Sequence, residues 1–139
     1  MSDTTLYTGG CLCGGLRYEA HGAPLYMGHC YCADCHKASG SGFAPFMSFA
    51  SNAVRFEGTP RQFRSRSARD TEAVRNFCPT CGGLVFGGEI GKTTSFTLYA
   101  GSLDEPALFH PQIAIFARGR PDWAIIPPGL TVFETMPER

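Results

Sequence analysis

The chain has 139 residues, of which 43% are hydrophobic and only 17% charged, and its 12 basic and 12 acidic residues balance. This composition fits one domain covering residues 1–139 and excludes a charge-rich disordered chain. Because no basic excess exists to neutralise phosphates, nucleic-acid binding is not expected. The stretch MSDTTLYTGG lacks the basic and apolar regions of a signal peptide, and no apolar run is long enough to span a membrane. We therefore expect a cytoplasmic protein without membrane contact.

Short stretches with strand character, separated by many of the 17 glycines and 10 prolines, dominate the chain. In chain order, the predicted strands cover residues 16–20, 43–49, 54–57, 61–64, 73–77, 84–86, 96–99 and 113–116. Pro45 favours an edge position for the second of these strands, because proline donates no backbone hydrogen bond. The helical candidates are short, namely residues 33–39 and a turn near residues 121–125. This pattern predicts a mainly β protein.

Cysteines carry the strongest signal in the sequence, and there are seven: Cys11, Cys13, Cys30, Cys32, Cys35, Cys78 and Cys81. An odd number excludes complete internal disulfide pairing. The close spacings suit metal ligands or redox groups better than disulfides, which usually close longer loops. In a reducing compartment, metal binding is the favoured interpretation.

Two of the cysteine pairs predict a closed metal site. Cys11 and Cys13 lie two residues apart, so in an extended strand both side chains face the same side. Cys78 and Cys81 form a knuckle followed by two glycines, which permit a left-handed backbone. Four thiolates make the tetrahedral shell of structural zinc; alternatively, only one of the pairs is structural. We expect this ion to be required for folding, because structural zinc contributes roughly 10–16 kcal/mol in small peptides.

The remaining cysteines, Cys30, Cys32 and Cys35, predict a second zinc site with three protein ligands. Three ligands leave one coordination position for water or a substrate, as in catalytic zinc sites. His29 or His36 could instead close the site, and a redox role for Cys32 and Cys35 is a further alternative. Zinc with three thiolates has a net charge of about −1. It should therefore accept another thiolate more readily than it activates water.

The segment after Cys35 is polar and rich in glycine, so peptide-like groups could approach its backbone. We predict contacts with a thiol substrate at four of its residues: Lys37, Ser39, Gly40 and Ser41. Lys37 could attract a substrate carboxylate, although a solvated lysine explains it equally well. Candidate acid–base groups near the second site are His29, Asp34 and His36.

Five segments together form a pattern that is specific to one family: 10–14 (GCLCG), 30–41 (CYCADCHKASGS), 76–82 (NFCPTCG), 100–104 (AGSLD) and 110–123. The chain resembles the glutathione-dependent formaldehyde-activating enzyme family, which includes centromere protein V-like proteins, over residues 7 to about 125. The resemblance implies a β-tent of short antiparallel sheets stapled by two zinc ions. The structural zinc would be held by Cys11, Cys13, Cys78 and Cys81, and the catalytic zinc by Cys30, Cys32 and Cys35.

The implied activity is the addition of glutathione to formaldehyde, which gives S-hydroxymethylglutathione and is classed in reverse as a carbon–sulfur lyase. One departure is His36, which stands where the family commonly has arginine. We therefore expect a zinc-dependent enzyme that joins a glutathione-like thiol to formaldehyde or a related small carbonyl. The alternative is a non-enzymatic zinc-stapled interaction module. A methionine sulfoxide reductase is disfavoured, because no cysteine remains as its nucleophile.

Overall fold

The computed structural model describes residues 3–137, which form eleven strands, one α-helix and four short 3₁₀ helices. The strands are β1 (Leu6–Gly10), β2 (Arg17–His21), β3 (Tyr26–Cys30), β4 (Ala44–Ala50), β5 (Val54–Glu57), β6 (Arg61–Arg66), β7 (Glu72–Phe77), β8 (Leu84–Gly87), β9 (Ser95–Tyr99), β10 (Ile113–Ile115) and β11 (Thr131–Val132). Helix α1 covers Ala33–Ser39, and the 3₁₀ helices cover Ser51–Ala53, Ala100–Ser102, Pro106–Leu108 and Ala117–Gly119. Within the described residues, no helix has the length and apolar character needed to cross a bilayer.

The strands form two sheets. The small sheet has the order β1-β2-β5, and the large sheet has the order β11-β10-β3-β4-β9-β8-β7-β6. In the large sheet β10 runs parallel to both β3 and β11, whereas the other neighbours are antiparallel. The mainly β prediction is confirmed, although the large sheet is mixed. Strand β10 joins β3 after a long connection, and a parallel pair requires such a connection in place of a hairpin.

The main core lies between the two sheets. Tyr18 on β2 is almost fully buried there, as are Met47 on β4 and Leu98 on β9. Phe56 on β5 stacks on Phe86 on β8 with their ring centroids 4.0 Å apart. Burial of one large apolar side chain contributes about 1.5–3 kcal/mol, so this cluster fixes the small sheet on the large one.

A second apolar cluster lies on the other face of the large sheet. Phe46 precedes Met47 on β4 and therefore points to the opposite face. It packs there with Ile115 and Phe116, and Cys30 and Cys32 lie against this cluster. The outer face of the sheet thus provides an apolar support for the central group of cysteines.

Helix α1 is confirmed at the predicted residues, and its ends have local causes. The Sγ atom of Cys32 caps its start and accepts a hydrogen bond from the backbone N–H of Cys35 at 3.4 Å. Gly40 ends the helix in the left-handed conformation with φ of 70°. Because the N-cap residue is itself a cysteine, the start of the helix brings two thiols together.

The predicted strands agree with β2 and with β4 to β10 to within about two residues. The prediction misses β1 and β3, whose sequences LYTGG and YMGHC contain glycine, and β11, which has only two residues. The segment near residues 121–125 is a turn and not a helix, closed by a hydrogen bond of 3.0 Å from the Ala124 N–H to the Pro121 carbonyl.

The edge position predicted for Pro45 is wrong, because β4 lies between β3 and β9. The pairing of β4 with β9 begins at Phe46. No residue of β9 is therefore paired with Pro45, and its missing N–H interrupts no ladder on that side.

Candidate metal centres and active site

Four cysteines meet where the two sheets are joined, and we call this group the four-thiol site: Cys11, Cys13, Cys78 and Cys81. The first two belong to the turn between β1 and β2, and the last two to the turn between β7 and β8. All four Sγ atoms lie within 4.8 Å of one another. The Cys11–Cys13 and Cys13–Cys78 sulfur distances are 3.8 and 3.6 Å. Tetrahedral zinc with Zn–S bonds of 2.3 Å requires about 3.8 Å between sulfurs, so these donors fit such an ion.

Backbone geometry holds these thiols in place. The Gly82 N–H donates to the Cys78 carbonyl at 2.8 Å, and Gly82 has a φ of 75° that favours glycine. Backbone N–H groups also point at the sulfurs, from Leu16 to Cys11 at 3.2 Å and from Thr80 to Cys78 at 3.4 Å. Such hydrogen bonds stabilise thiolates.

The thiols of the four-thiol site differ in pKa. Backbone N–H groups of Cys13 and Gly83 lower the pKa of Cys81 to about 6. For Cys13, the N–H of Gly15 acts to lower the pKa, but the neighbouring thiols outweigh it and raise the pKa to about 11. The site therefore keeps protons at neutral pH unless a cation displaces them, as thiolate-binding metals do.

The second group, the three-thiol site, consists of Cys30, Cys32 and Cys35, whose Sγ atoms also lie within 4.8 Å of one another. Cys30 ends β3, and the other two lie at the start of α1. Among the described residues, no His, Asp or Glu side chain joins this group of mutually close ligands. His36 therefore lies outside it, and its Nε2 is buried without a hydrogen-bond partner in residues 3–137.

The three thiols shift one another's pKa in opposite directions. The thiols of Cys30 and Cys35 lower the pKa of Cys32. In turn, the thiol of Cys32 raises the pKa of Cys30 to about 12, and both neighbours raise the pKa of Cys35 far above its ordinary range. Three soft sulfur donors that cannot all ionise by themselves suit a thiophilic metal ion.

A cavity of about 190 Å³ lies beside the three-thiol site, and all three cysteines line it. Arg75 on β7 and Tyr99 on β9 contribute polar groups, and Arg69 comes from the tip of the β6–β7 hairpin. The rest of the wall is largely apolar and includes the outer-face cluster Phe46, Ile115 and Phe116. Metal ligands, a cation and a hydroxyl thus border one cavity.

Sequence reasoning missed Arg75 and Tyr99. Buried and less buried side chains alternate along β7, and Arg75 lies between Val74 and Asn76, which are both buried. This alternation was the signal in the sequence that could have indicated Arg75. This alternation places Arg75 on the outer face of the sheet. The order of β7, β8 and β9 relative to β3 brings it to the cysteines, and local patterns do not define that order.

The residues predicted to contact the substrate, Lys37, Ser39, Gly40 and Ser41, do not line this cavity. Ser39 and Ser41 line a second cavity of about 540 Å³ with Gly82 and Tyr99, and Lys37 is exposed. The Ser39 hydroxyl donates to the Cys35 carbonyl at 2.6 Å, and Gly40 ends helix α1. The structure therefore gives Ser39 and Gly40 a local structural role and does not bring this segment into the cavity beside the three thiols.

His29 lies on the core-facing side of β3, as its position next to Cys30 predicts. Its ring stacks on Phe43 with centroids 4.2 Å apart, and Nδ1 is 3.3 Å from the Tyr31 hydroxyl. Burial lowers the pKa of His29. His29 is therefore held in an aromatic cluster, where burial disfavours its charged form.

The sequence model of the family described as glutathione-dependent formaldehyde-activating enzyme matches residues 6–119, most of the chain. The chain belongs to this family. All seven cysteines fall inside the part matched to the glutathione-dependent formaldehyde-activating enzyme family. No curated protein matches the chain. A crystal structure of a Rhodobacter sphaeroides protein, a structural-genomics target, is similar in fold: its TM-score is 0.54 at 16% identity, and the match covers 91% of this chain and 98% of that chain.

Proposed function

We propose that the protein is a cytoplasmic zinc-dependent carbon–sulfur lyase that joins a glutathione-like thiol to formaldehyde, or to a related small carbonyl, and also catalyses the reverse reaction. The observation that carries this proposal is the position of the three-thiol site in the wall of a cavity that also holds Arg75 and Tyr99. Membership of the family supports the choice of thiol and aldehyde. The cytoplasm keeps such thiols reduced.

We assign different roles to the two cysteine groups. The four-thiol site links the β1–β2 turn to the β7–β8 turn, so a metal ion there serves the fold. The three-thiol site draws its ligands from one short segment and borders the cavity, which suits catalysis. A zinc ion held there would supply a remaining coordination position at which a substrate thiol is bound as its thiolate.

The reaction requires one proton to change places. The substrate sulfur forms a bond to the carbonyl carbon, the π electrons of the C=O bond move to oxygen, and this oxygen takes up the proton that the thiol has lost. Burial raises the pKa of Tyr99 to about 12, so its hydroxyl stays protonated and can donate a hydrogen bond to the developing negative oxygen. Asp34 and His36 on α1 remain the candidates for carrying the proton.

Exchange NMR with ¹³C-labelled formaldehyde and glutathione tests this function, because it measures how fast the aldehyde and its thiol adduct interconvert above the spontaneous rate. We expect the zinc-loaded protein to accelerate this exchange and Cys32→Ser to remove the acceleration while leaving the circular dichroism spectrum unchanged. Ile90→Ala, a substitution at an exposed side chain that does not line the cavity, is the matched control. If the zinc-loaded wild type leaves the exchange rate at its spontaneous value, the catalytic proposal is wrong and the non-enzymatic interaction module takes its place.

A further inference from the structure

Arg75 differs from two other arginines of the sheets, Arg17 and Arg64, in how its charge is satisfied. Arg17 pairs with Asp104, and Arg64 pairs with Glu72 and Glu89. In the part of the chain covered by residues 3–137, Arg75 forms no ion pair with a carboxylate. Its half-buried guanidinium therefore has no carboxylate partner among these residues, and its anionic neighbours are the thiols of the three-thiol site.

The hydrogen bonds of Arg75 are also incomplete. Its Nη1 donates to the Ser65 hydroxyl at 3.3 Å, and its buried Nε–H has no acceptor within the described residues. A guanidinium has five N–H donors arranged in a rigid fork that matches a carboxylate. Because Arg75 lines the cavity, the N–H groups that Ser65, Cys35 and Tyr99 do not engage can meet a ligand there.

Apart from the cysteines, the charged side chains of the cavity wall are both cations. Arg75 and Arg69 line it, and none of the described lining residues is an aspartate or a glutamate. Asp34 is near enough for its charge to act on Arg75, together with the Tyr99 hydroxyl and the Cys35 sulfur, yet it lies beyond ion-pair distance. Two cations in one wall attract an anionic group to their side of the cavity.

We propose that Arg75 binds a carboxylate of the thiol substrate, so that the site selects thiols bearing a carboxylate over neutral or amine-bearing thiols, a specificity that rests on the proposed thiol chemistry. The substrate would then be held at two points, by its sulfur at the three-thiol site and by its carboxylate at Arg75. Two-point binding fixes the orientation of the sulfur relative to the Tyr99 hydroxyl on the same cavity wall. Arg69, exposed at the hairpin tip, would add attraction without a fixed contact.

Binding of two small thiols to the cobalt-loaded protein tests this specificity without reference to catalysis. The probes are 3-mercaptopropionate, which carries a carboxylate, and 2-mercaptoethanol, which carries a hydroxyl in its place. The readout is the thiolate–cobalt absorption spectrum. For each protein the ratio of the two dissociation constants is measured. Comparing this ratio between variants cancels the different acidities of the two thiols.

We expect Arg75→Met to reduce the preference for 3-mercaptopropionate about tenfold or more, the order of one charge-assisted hydrogen bond, with little change for 2-mercaptoethanol. Arg75→Lys should retain part of the preference, because it keeps the charge but loses the fork. Arg61→Met, at an exposed arginine of β6 that does not line the cavity, should leave the ratio unchanged.

Three results would overturn the inference while the proposed function stands: no carboxylate preference in the wild type, an unchanged preference in Arg75→Met, or equal weakening of both thiols. Equal weakening would mean that Arg75 acts on the cysteines and not on the substrate. If no thiol changes the cobalt spectrum of the wild type, the inference and the proposed thiol chemistry both fail. The wild-type ratio and the lysine variant keep the test decisive if Arg75→Met does not fold.

Discussion

Replacement of one buried cysteine from each site separates their roles. Cys78 and Cys35 are matched in burial, with 3% and 8% of their surface exposed, so Cys78→Ser and Cys35→Ser bury similar hydroxyl groups. The four-thiol site joins Cys13 to Cys78 across a sequence separation of 65. The corresponding link from Cys32 to Cys35 spans a separation of 3. The two variants therefore differ chiefly in the length of chain that their metal link closes.

The expected magnitude follows from loop closure. A cross-link over 65 residues restrains the unfolded chain by about 4 kcal/mol in the chain-entropy treatment of disulfides. At about 3 °C per kcal/mol for a chain of this size, loss of this link in Cys78→Ser should lower the melting temperature by up to about 12 °C more than Cys35→Ser does. Thermal melts of the zinc-loaded proteins followed by circular dichroism, with zinc content measured on the same samples, provide the comparison. Equal destabilisation by both substitutions would refute the assignment of one structural and one catalytic site.

Other predictions concern metal release, packing, charge and catalysis. A chelator should remove zinc in two phases, first from the three-thiol site, because it has fewer protein ligands and borders a cavity; release of both ions in one phase would count against this order. Gly9→Ala should destabilise the fold by about 1–3 kcal/mol, because the added Cβ would lie 2.4 Å from a backbone oxygen. Gly101→Ala, whose Cβ would have no atom within 4 Å, should leave the free energy of unfolding unchanged. Denaturant titrations measure both effects. Hydrogen bonds from Arg17 lower the pKa of Asp104 to about 2, so this pair stabilises the fold above pH 3.8 and loses its effect as the pH falls towards 2. Because the pair is exposed, Asp104→Asn should lower the free energy of unfolding by under about 1 kcal/mol at pH 7. If this variant loses stability between pH 4 and pH 2 as steeply as the wild type does, the pair does not contribute to stability. Tyr99→Phe should slow thiol–aldehyde exchange about 10²-fold without weakening thiol binding, and an undiminished exchange rate would exclude the hydroxyl from the reaction.

Local sequence predicted the parts of the protein whose causes are local. The Cys30–Cys35 cluster and helix α1 depend on one segment, and the spacing of cysteines sufficed to group them as the structure does. Strands β1 and β3 escaped prediction because glycine weakens their alternation. Arg75 and Tyr99 could not be assigned to the site, since strand order across the large sheet brings them there. Pro45 was misplaced because its effect depends on where the neighbouring strand stops.

The chain order of the two thiol groups has a consequence for biosynthesis. The three ligands of one site lie between the two halves of the other, so five thiols leave the ribosome before Cys78 and Cys81 are made. At about 5–20 residues per second, this interval lasts several seconds. During that time the five earlier thiols can capture an ion in a set that differs from either final site, for example Cys11 and Cys13 with Cys30 or Cys32. Such an ion reaches the four-thiol site by thiolate exchange once Cys78 and Cys81 have been made.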